Sequence, residues 1–239
     1  MSGHSKWNNI KRKKGKTDAA RAKVFTKIGK EMAVAIRAGG PNPVSNSKLR
    51  DLISKAKALN VPNDNIERAI KKYKDTDVVY EEITYEGYGP GGVAVIVETA
   101  TDSRNRTAGD VRHYFDKCGG NLGVVGCVGF MFQDMGLITV EDEDEEINED
   151  DLMEAALEAG AADFKGEDGI YEIYTEPDDL EAVTEALRAK GFPVTQSEQS
   201  KVPSSYVSLD DETAESMEKL LDLLDDNDDV TNVYHNWES

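Results

Sequence analysis

The residues whose types and spacing could support chemistry are few and scattered. Gly15-Lys16-Thr17 matches the end of a phosphate-binding P-loop, but that motif needs a glycine five positions earlier, where Ile10 stands. The three histidines lie at 4, 113 and 235, and no paired CxxC or HxxxH spacing marks a metal site. No GxSxG motif marks a nucleophile. We therefore expect no catalytic residue, no cofactor and no metal, and a binding protein rather than an enzyme.

The acidic residues form no recognisable ligand loop. Glu141–Asp151 holds nine acids in eleven residues, yet an EF-hand loop counted from Asp142 would need a glycine where Ile147 stands. The run favours a solvated loop that leads into a helix N-terminus, where negative charge is favourable. A metal-dependent nuclease acting through other carboxylates stays open as a remote alternative.

The strongest chemical signal is the uneven distribution of charge. The 239-residue chain has a net charge of −19, but residues 1–74 carry 19 Lys and Arg against 5 acids, and residues 75–239 carry 9 against 42. A cationic module on an anionic body indicates that the module binds nucleic acid, because lysines neutralise phosphates and release counterions. The negative body argues against a duplex that wraps the whole protein.

A basic arm with one aromatic residue opens the chain. Its indole, Trp7, could stack on an unpaired base, which is worth about 1–3 kcal/mol. The alternative is that Trp7 packs on the helices that follow and the lysines only solubilise the chain. We predict nucleic-acid contacts by the basic residues of the arm and of these helices, namely Lys6, Lys11, Arg12, Lys13, Lys14, Lys16, Arg21, Lys23, Lys27, Lys71 and Lys72.

Hydrophobic periodicity predicts the elements that position these residues. Three stretches with 3.6-residue spacing, Asp18–Arg37, Ser45–Leu59 and a third from Pro62, predict a small helical bundle. Strands and helices then alternate, with Cys127–Phe132 as one predicted strand. Residues 135–200 fit the βαββαβ order of a ferredoxin-like domain.

The predicted fold class is therefore multidomain α+β, with an N-terminal three-helix bundle followed by two ferredoxin-like α/β domains, one inserted in the other. We place the arm and bundle at 1–75, a discontinuous domain at 76–134 and 204–239, and an inserted acidic domain at 135–203. Two cysteines and the lack of a long apolar run predict a reduced, cytoplasmic protein without membrane contact. We expect a monomer.

Two loops of the second region could also bind. Tyr85–Gly92 could expose its tyrosines to a ligand on a glycine-rich turn. The alternative is that this segment is an ordinary β-hairpin. Thr101–Arg106 carries two arginines just before a helix N-terminus, where an anion would be bound favourably. The alternative is that these arginines pair with the acidic surface of the protein.

Long ordered blocks of this sequence resemble one known family. GHSKWNNIK, LRDLISKAKALNVPNDNIERAIKK, YEGYGPGGVAVIVE and TDSRNRTAGDVRHYFDKCGGNLG together resemble the YebC/PmpR family, over essentially the whole chain. The family pattern would carry a small polar pair after Gly123, where this chain has Val124-Val125.

The resemblance implies three domains and a non-enzymatic, cytoplasmic role. Members are described as DNA-binding transcriptional regulators or as translation factors that associate with the ribosome and assist synthesis through proline runs. The matching blocks place two groups of residues in contact with nucleic acid. These are Gly3, His4, Ser5, Lys6 and Trp7 in the arm, and Tyr88, Gly89, Gly91, Arg104, Asn105 and Arg106 in the loops.

We predict a factor that binds ribosomal RNA and regulates translation, with ribosomal proteins as further partners. The chain shows no helix-turn-helix reading head with polar base-reading side chains, which favours RNA over promoter DNA. A DNA-binding transcriptional regulator and a protein-interaction factor that acts through the acidic body remain alternatives.

Overall fold

The computed structural model describes residues 18–59, 61–142, 147–167 and 169–238. They form two compact units, the described residues of Met1–Phe132 with Pro203–Ser239, and those of Gln133–Val202. The helical bundle lies in the same unit as the first sheet, so its separation as a domain of its own stays a prediction. Among the described helices, none combines the length and the apolar character that crossing a bilayer requires.

Three helices form the N-terminal bundle, α1 (Asp18–Gly39), α2 (Ser47–Ala58) and α3 (Asn63–Lys74). Their apolar stripes meet in a core that includes Ile28, Met32, Leu49 and Ile66. Buried Asn46 fixes the α1–α2 connection, because its side chain accepts the Leu49 N–H and donates to two carbonyl groups at the end of α1. The predicted three-helix bundle is confirmed.

The first sheet is antiparallel, in the order β3-β1-β2-β9. Its strands and helices are β1 (Glu81–Tyr88), β2 (Ala94–Thr101), α4 (Arg104–Lys117), β3 (Asn121–Leu122), α7 (Asp211–Asp226) and β9 (Val230–His235). Alternate β2 residues pack with Phe115 of α4 and Leu220 of α7 in one core. Two short strands, β8 (Val207–Ser208) and β10 (Trp237–Glu238), pair in parallel beside it.

One predicted strand is wrong. Residues from Gly123 to Gly129 form a turn-rich loop, and a single 3₁₀ turn, Gly129–Met131, precedes the next strand. The N–H groups of Val128 and Gly129 donate to the Glu86 carboxylate instead of to a neighbouring strand, so these residues belong to a loop.

The second unit is an α/β sandwich with the strand order β5-β6-β4-β7. Along the chain its elements are β4 (Phe132–Glu141), α5 (Glu149–Ala159), β5 (Asp163–Glu167), β6 (Ile170–Thr175), α6 (Leu180–Ala189) and β7 (Val194–Pro203). This is the predicted βαββαβ arrangement, packed around Ile138, Leu152, Ile173 and Leu187. The multidomain α+β fold class is confirmed.

Candidate nucleic-acid interface

Most of the predicted arm contacts lie outside the described residues. These are Gly3, His4, Ser5, Lys6, Trp7, Lys11, Arg12, Lys13, Lys14 and Lys16. Arg21 lies in α1, which begins at Asp18. The arm therefore leads into the bundle, and its proposed contacts stay predictions.

The lysines of α1 form a stripe with intramolecular partners. Lys23, Lys27 and Lys30 are four and three residues apart, so they share one face of the helix. Lys23 Nζ lies 3.1 Å from Asp226 Oδ1, and Lys27 Nζ donates to the Asp225 carbonyl at 2.7 Å. The α1 stripe is thus bound to the end of α7 and the turn after it, which also explains why Lys27 is buried.

Asp229 is the centre of this contact. Its carboxylate is 5% exposed and accepts hydrogen bonds from Lys30, Arg106 and Thr107 at 2.7, 2.7 and 2.8 Å. Burial alone would raise the pKa of Asp229, but these three hydrogen bonds outweigh it and lower the pKa to about 2. A carboxylate that is ionised at neutral pH therefore joins α1 to the start of α4.

The loop arginines likewise have acidic partners. Arg104 lies 2.8 Å from Glu81, and Arg106 bridges Asp102 and Asp229. Hydrogen bonds to both carboxylates raise the pKa of Arg106. Asn105 is exposed beside them. Of the two alternatives weighed for this loop, the structure places the arginines against acidic side chains, and nucleic-acid contact here stays a prediction.

The lysines of α3 differ from those of α1. Lys71, Lys72 and Lys74 are exposed at the C-terminal end of the helix. Within the described ranges, no carboxylate lies within ion-pair distance of any of the three. Lys72 Nζ instead lies 5.1 Å from the centre of the Tyr73 ring. This α3 lysine face is therefore available to bind phosphate.

The glycine turn after β1 is a packed structural feature with one exposed aromatic residue. A Cβ at Gly89 would lie 2.9 Å from Met217 Sδ, and one at Gly91 would lie 2.3 Å from Leu209 Cδ2. Gly91 also has a φ of 69°, so a side chain at Gly91 would be strained as well as crowded, whereas the flexible Met217 side chain near Gly89 could shift. Tyr88 is partly exposed, and its hydroxyl donates to the Cys127 carbonyl at 3.3 Å.

An exposed apolar loop follows, which the sequence analysis did not identify as a candidate binding surface. The buried Glu86 carboxylate accepts backbone N–H groups from Gly126, Val128 and Gly129 at 2.7–2.9 Å, which fixes the loop. Three apolar side chains then remain exposed, with relative areas of 77% for Val124, 81% for Val125 and 79% for Phe130. The departure from the family pattern at Val124-Val125 was the signal that could have found this surface.

The described residues offer little for catalysis. Across them, no group of three His, Cys, Asp or Glu side chains is placed to hold a metal ion. Cys118 is buried, and burial raises the pKa of its thiol, which disfavours the reactive thiolate. The exposed groups that could bind a ligand are the ammonium groups of α3 and the apolar or aromatic side chains of the loops.

Comparison with known proteins identifies relatives over the full length. Residues 5–76 match the family model described as the TACO1/YebC protein N-terminal domain, and residues 80–237 match the TACO1/YebC second and third domain. A probable transcriptional regulatory protein from Acetivibrio thermocellus is 57% identical over 99% of both chains. Another from Hathewaya histolytica is 55% identical over all of this chain and 97% of its own.

A solved structure agrees with the fold. The crystal structure of a conserved hypothetical protein from Aquifex aeolicus aligns with a TM-score of 0.83 at 46% identity, and covers 94% of this chain and 93% of that one. Both family models and the full-length relatives therefore give the same result: the chain belongs to the TACO1/YebC family.

Proposed function

We propose that this protein is a regulatory nucleic-acid-binding factor that contacts phosphates through its basic arm and the α3 lysine face. The observation that carries the proposal is the set of three exposed α3 lysines, which have no acidic partner among the described residues. On a chain of net charge −19, such a set is a local cationic surface that attracts polyanions. The relatives are described as probable transcriptional regulatory proteins, which supports a regulatory role.

The finer proposal is that the target is ribosomal RNA and that binding regulates translation, for example at proline-rich stalls. Exposed Tyr88 and Phe130 support it, because unpaired RNA bases stack on aromatic side chains whereas paired bases in a duplex do not. The exposed valines next to Phe130 would add apolar contact with ribosomal proteins or with the faces of splayed bases.

Promoter DNA is the second candidate, and the description of the relatives as probable transcriptional regulatory proteins favours it. A transcriptional regulator needs base readout, so one promoter should compete better than a scrambled duplex of the same length at moderate salt. Phosphate contacts from the arm and α3 alone would bind both duplexes equally.

Ultraviolet crosslinking in cells, with sequencing of both RNA and DNA recovered with the protein, separates the two targets. The matched control is the arm-neutralised variant, in which Lys11, Arg12, Lys13, Lys14 and Lys16 are replaced by glutamine. We expect sharp peaks in ribosomal RNA that the variant lacks. Discrete promoter peaks over background RNA would instead establish the transcriptional candidate, and no peaks of either kind would overturn the proposal.

A further inference from the structure

A pocket of about 280 Å³ lies in the bundle beside the α3 lysine face. Its walls come from the C-terminal half of α1, the end of α3 and the segment that leads into β1. Ala33 and Ile36 give it an apolar floor, and both are buried. The volume is just below the roughly 300–1,000 Å³ of pockets for drug-sized ligands, which suits a smaller planar group.

Two tyrosines form the aromatic wall of this pocket. Tyr73 and Tyr80 meet edge to face, with ring centres 6.1 Å apart and planes at 85°. Tyr73 is held against α1 because Gly29 has no side chain there, and a Cβ at Gly29 would lie 2.9 Å from the Tyr73 hydroxyl oxygen. Burial raises the pKa of both phenols, so both stay neutral at physiological pH.

Cations lie at the mouth of the pocket. Arg37 and Lys74 line it and are exposed, and no described residue forms an ion pair with either. Among the described residues that line the pocket, none is acidic. An apolar, aromatic pocket with cations at its mouth is complementary to a flat uncharged group that carries a negative charge at its edge.

We propose that this pocket binds one unpaired nucleobase of the bound strand, with Arg37 and Lys74 on the phosphates that flank it. The inference rests on the proposed nucleic-acid binding and adds a base-binding site to the phosphate contacts of the arm and α3. An unpaired base fits the pocket because it is planar and apolar on its faces, and its own backbone supplies the anions.

The test compares two single strands of twelve residues that differ only in their bases. One is an oligouridine, and the other has the same backbone with abasic sugars. The affinity of the full chain for each strand is measured by fluorescence anisotropy at one fixed salt concentration. Phosphate contacts alone bind both strands equally, so the ratio of the two affinities isolates the contribution of the bases.

Two substitutions at one position link that ratio to the pocket. Tyr80→Phe keeps the ring, and Tyr80→Leu keeps the apolar volume but removes the ring. We expect the full chain and Tyr80→Phe to prefer the base-containing strand by about tenfold, the size of one base–aromatic stack, and Tyr80→Leu to lose most of that preference. Circular dichroism checks that both variants are folded.

A second variant avoids the buried part of the site. Arg37→Ala removes an exposed cation, so we expect weaker binding to both strands and a log–log salt slope that is smaller by about 0.7. Arg50→Ala, on the exposed side of α2 and outside the pocket lining, is the matched control and should change the affinity for either strand by less than twofold.

The outcomes separate this inference from the proposed function. Equal binding of both strands by the full chain would overturn the base pocket and leave the phosphate contacts in place. A preference that Tyr80→Leu retains would also overturn the pocket, because the bases would then be bound elsewhere. Failure to bind either strand would overturn the proposed function and the pocket together.

Discussion

The lysines of α1 and those of α3 are chemically identical but have different surroundings. On α1, Lys23, Lys27 and Lys30 all contact the acidic segment at the end of α7. On α3, Lys71 and its two neighbours are exposed and lack an acidic partner among the described residues. Both sets lie in the same bundle, so the difference arises from what folds against each helix.

The comparison shows that a count of basic residues overstates the surface available to a ligand. A phosphate that approaches the α1 stripe must displace carboxylates already within hydrogen-bond distance, whereas one that approaches α3 displaces only water and counterions. We therefore infer that the α1 stripe contributes to the stability of the fold, and we propose that the α3 lysine face binds phosphate.

Removal of the Asp229 carboxylate should have the largest effect. Asp229→Ala leaves Lys30 and Arg106 without their shared partner in a mostly buried site. Loss of one member of a buried ion pair costs about 3–5 kcal/mol, and we expect a fall of that size in the free energy of unfolding, measured by urea denaturation. Asp226→Ala is the matched control, because that side chain is 82% exposed, and it should cost less than 1 kcal/mol.

Acid should weaken the same contact without any mutation. The folded-state pKa of Asp229 is lowered to about 2, below its ordinary value of 3.8, so its stabilising contribution is present above pH 4 and is lost between about pH 4 and 2. The loss should be smaller than that of Asp229→Ala, because protonation leaves the side chain in place. Unfolding measured across this range should show a shallower pH dependence in Asp229→Asn, and an unchanged dependence would contradict the role of Asp229.

The α3 lysines should affect binding and leave stability unchanged. We expect Lys71→Gln with Lys72→Gln to weaken nucleic-acid binding about tenfold, or 1.4 kcal/mol, and to reduce the log–log salt slope by about 1.4–1.8. The free energy of unfolding should change by less than about 0.5 kcal/mol. Arg50→Gln with Lys57→Gln removes two exposed charges from α2 as the control. Equal losses of affinity in the two double variants would show that only total charge matters.

The smallest effect is expected at the exposed end of the α1 stripe. Lys23 pairs with Asp226 in a solvent-accessible bridge. Such bridges contribute about 0–1 kcal/mol, so Lys23→Gln should lower stability within that range and change nucleic-acid affinity by less than twofold. A larger loss of affinity would show that Lys23 contacts nucleic acid and does not act only through its ion pair with Asp226.

Local sequence patterns were enough to predict much of the fold. The sequence predicted the three bundle helices from their 3.6-residue spacing, and it predicted the βαββαβ order of the second unit. Both features are encoded by residues that are close together in the sequence. The strand proposed over Cys127–Phe132 was wrong, because its amide groups bind the distant Glu86 carboxylate instead of a neighbouring strand. No local pattern could have shown that contact.

The division between the two lysine sets could not be predicted for the same reason. Lys30 and Asp229 are 199 positions apart, and Lys27 and Asp225 are 198 apart. The spacing of the α1 lysines puts them on one face, but only the tertiary structure shows that this face meets the acidic end of α7. The charge split between the two parts of the chain did indicate that a basic module exists.

The most direct test of this account is the salt dependence of nucleic-acid binding. The affinity for the oligouridine strand should be measured at several salt concentrations for the full chain, the arm-neutralised variant and Lys71→Gln with Lys72→Gln. We predict that the log–log slope falls by about 0.7 for each phosphate contact removed, so that it is smallest in the arm-neutralised variant and intermediate in the α3 variant. A slope that is the same in all three proteins would contradict the claim that the arm and α3 bind phosphate.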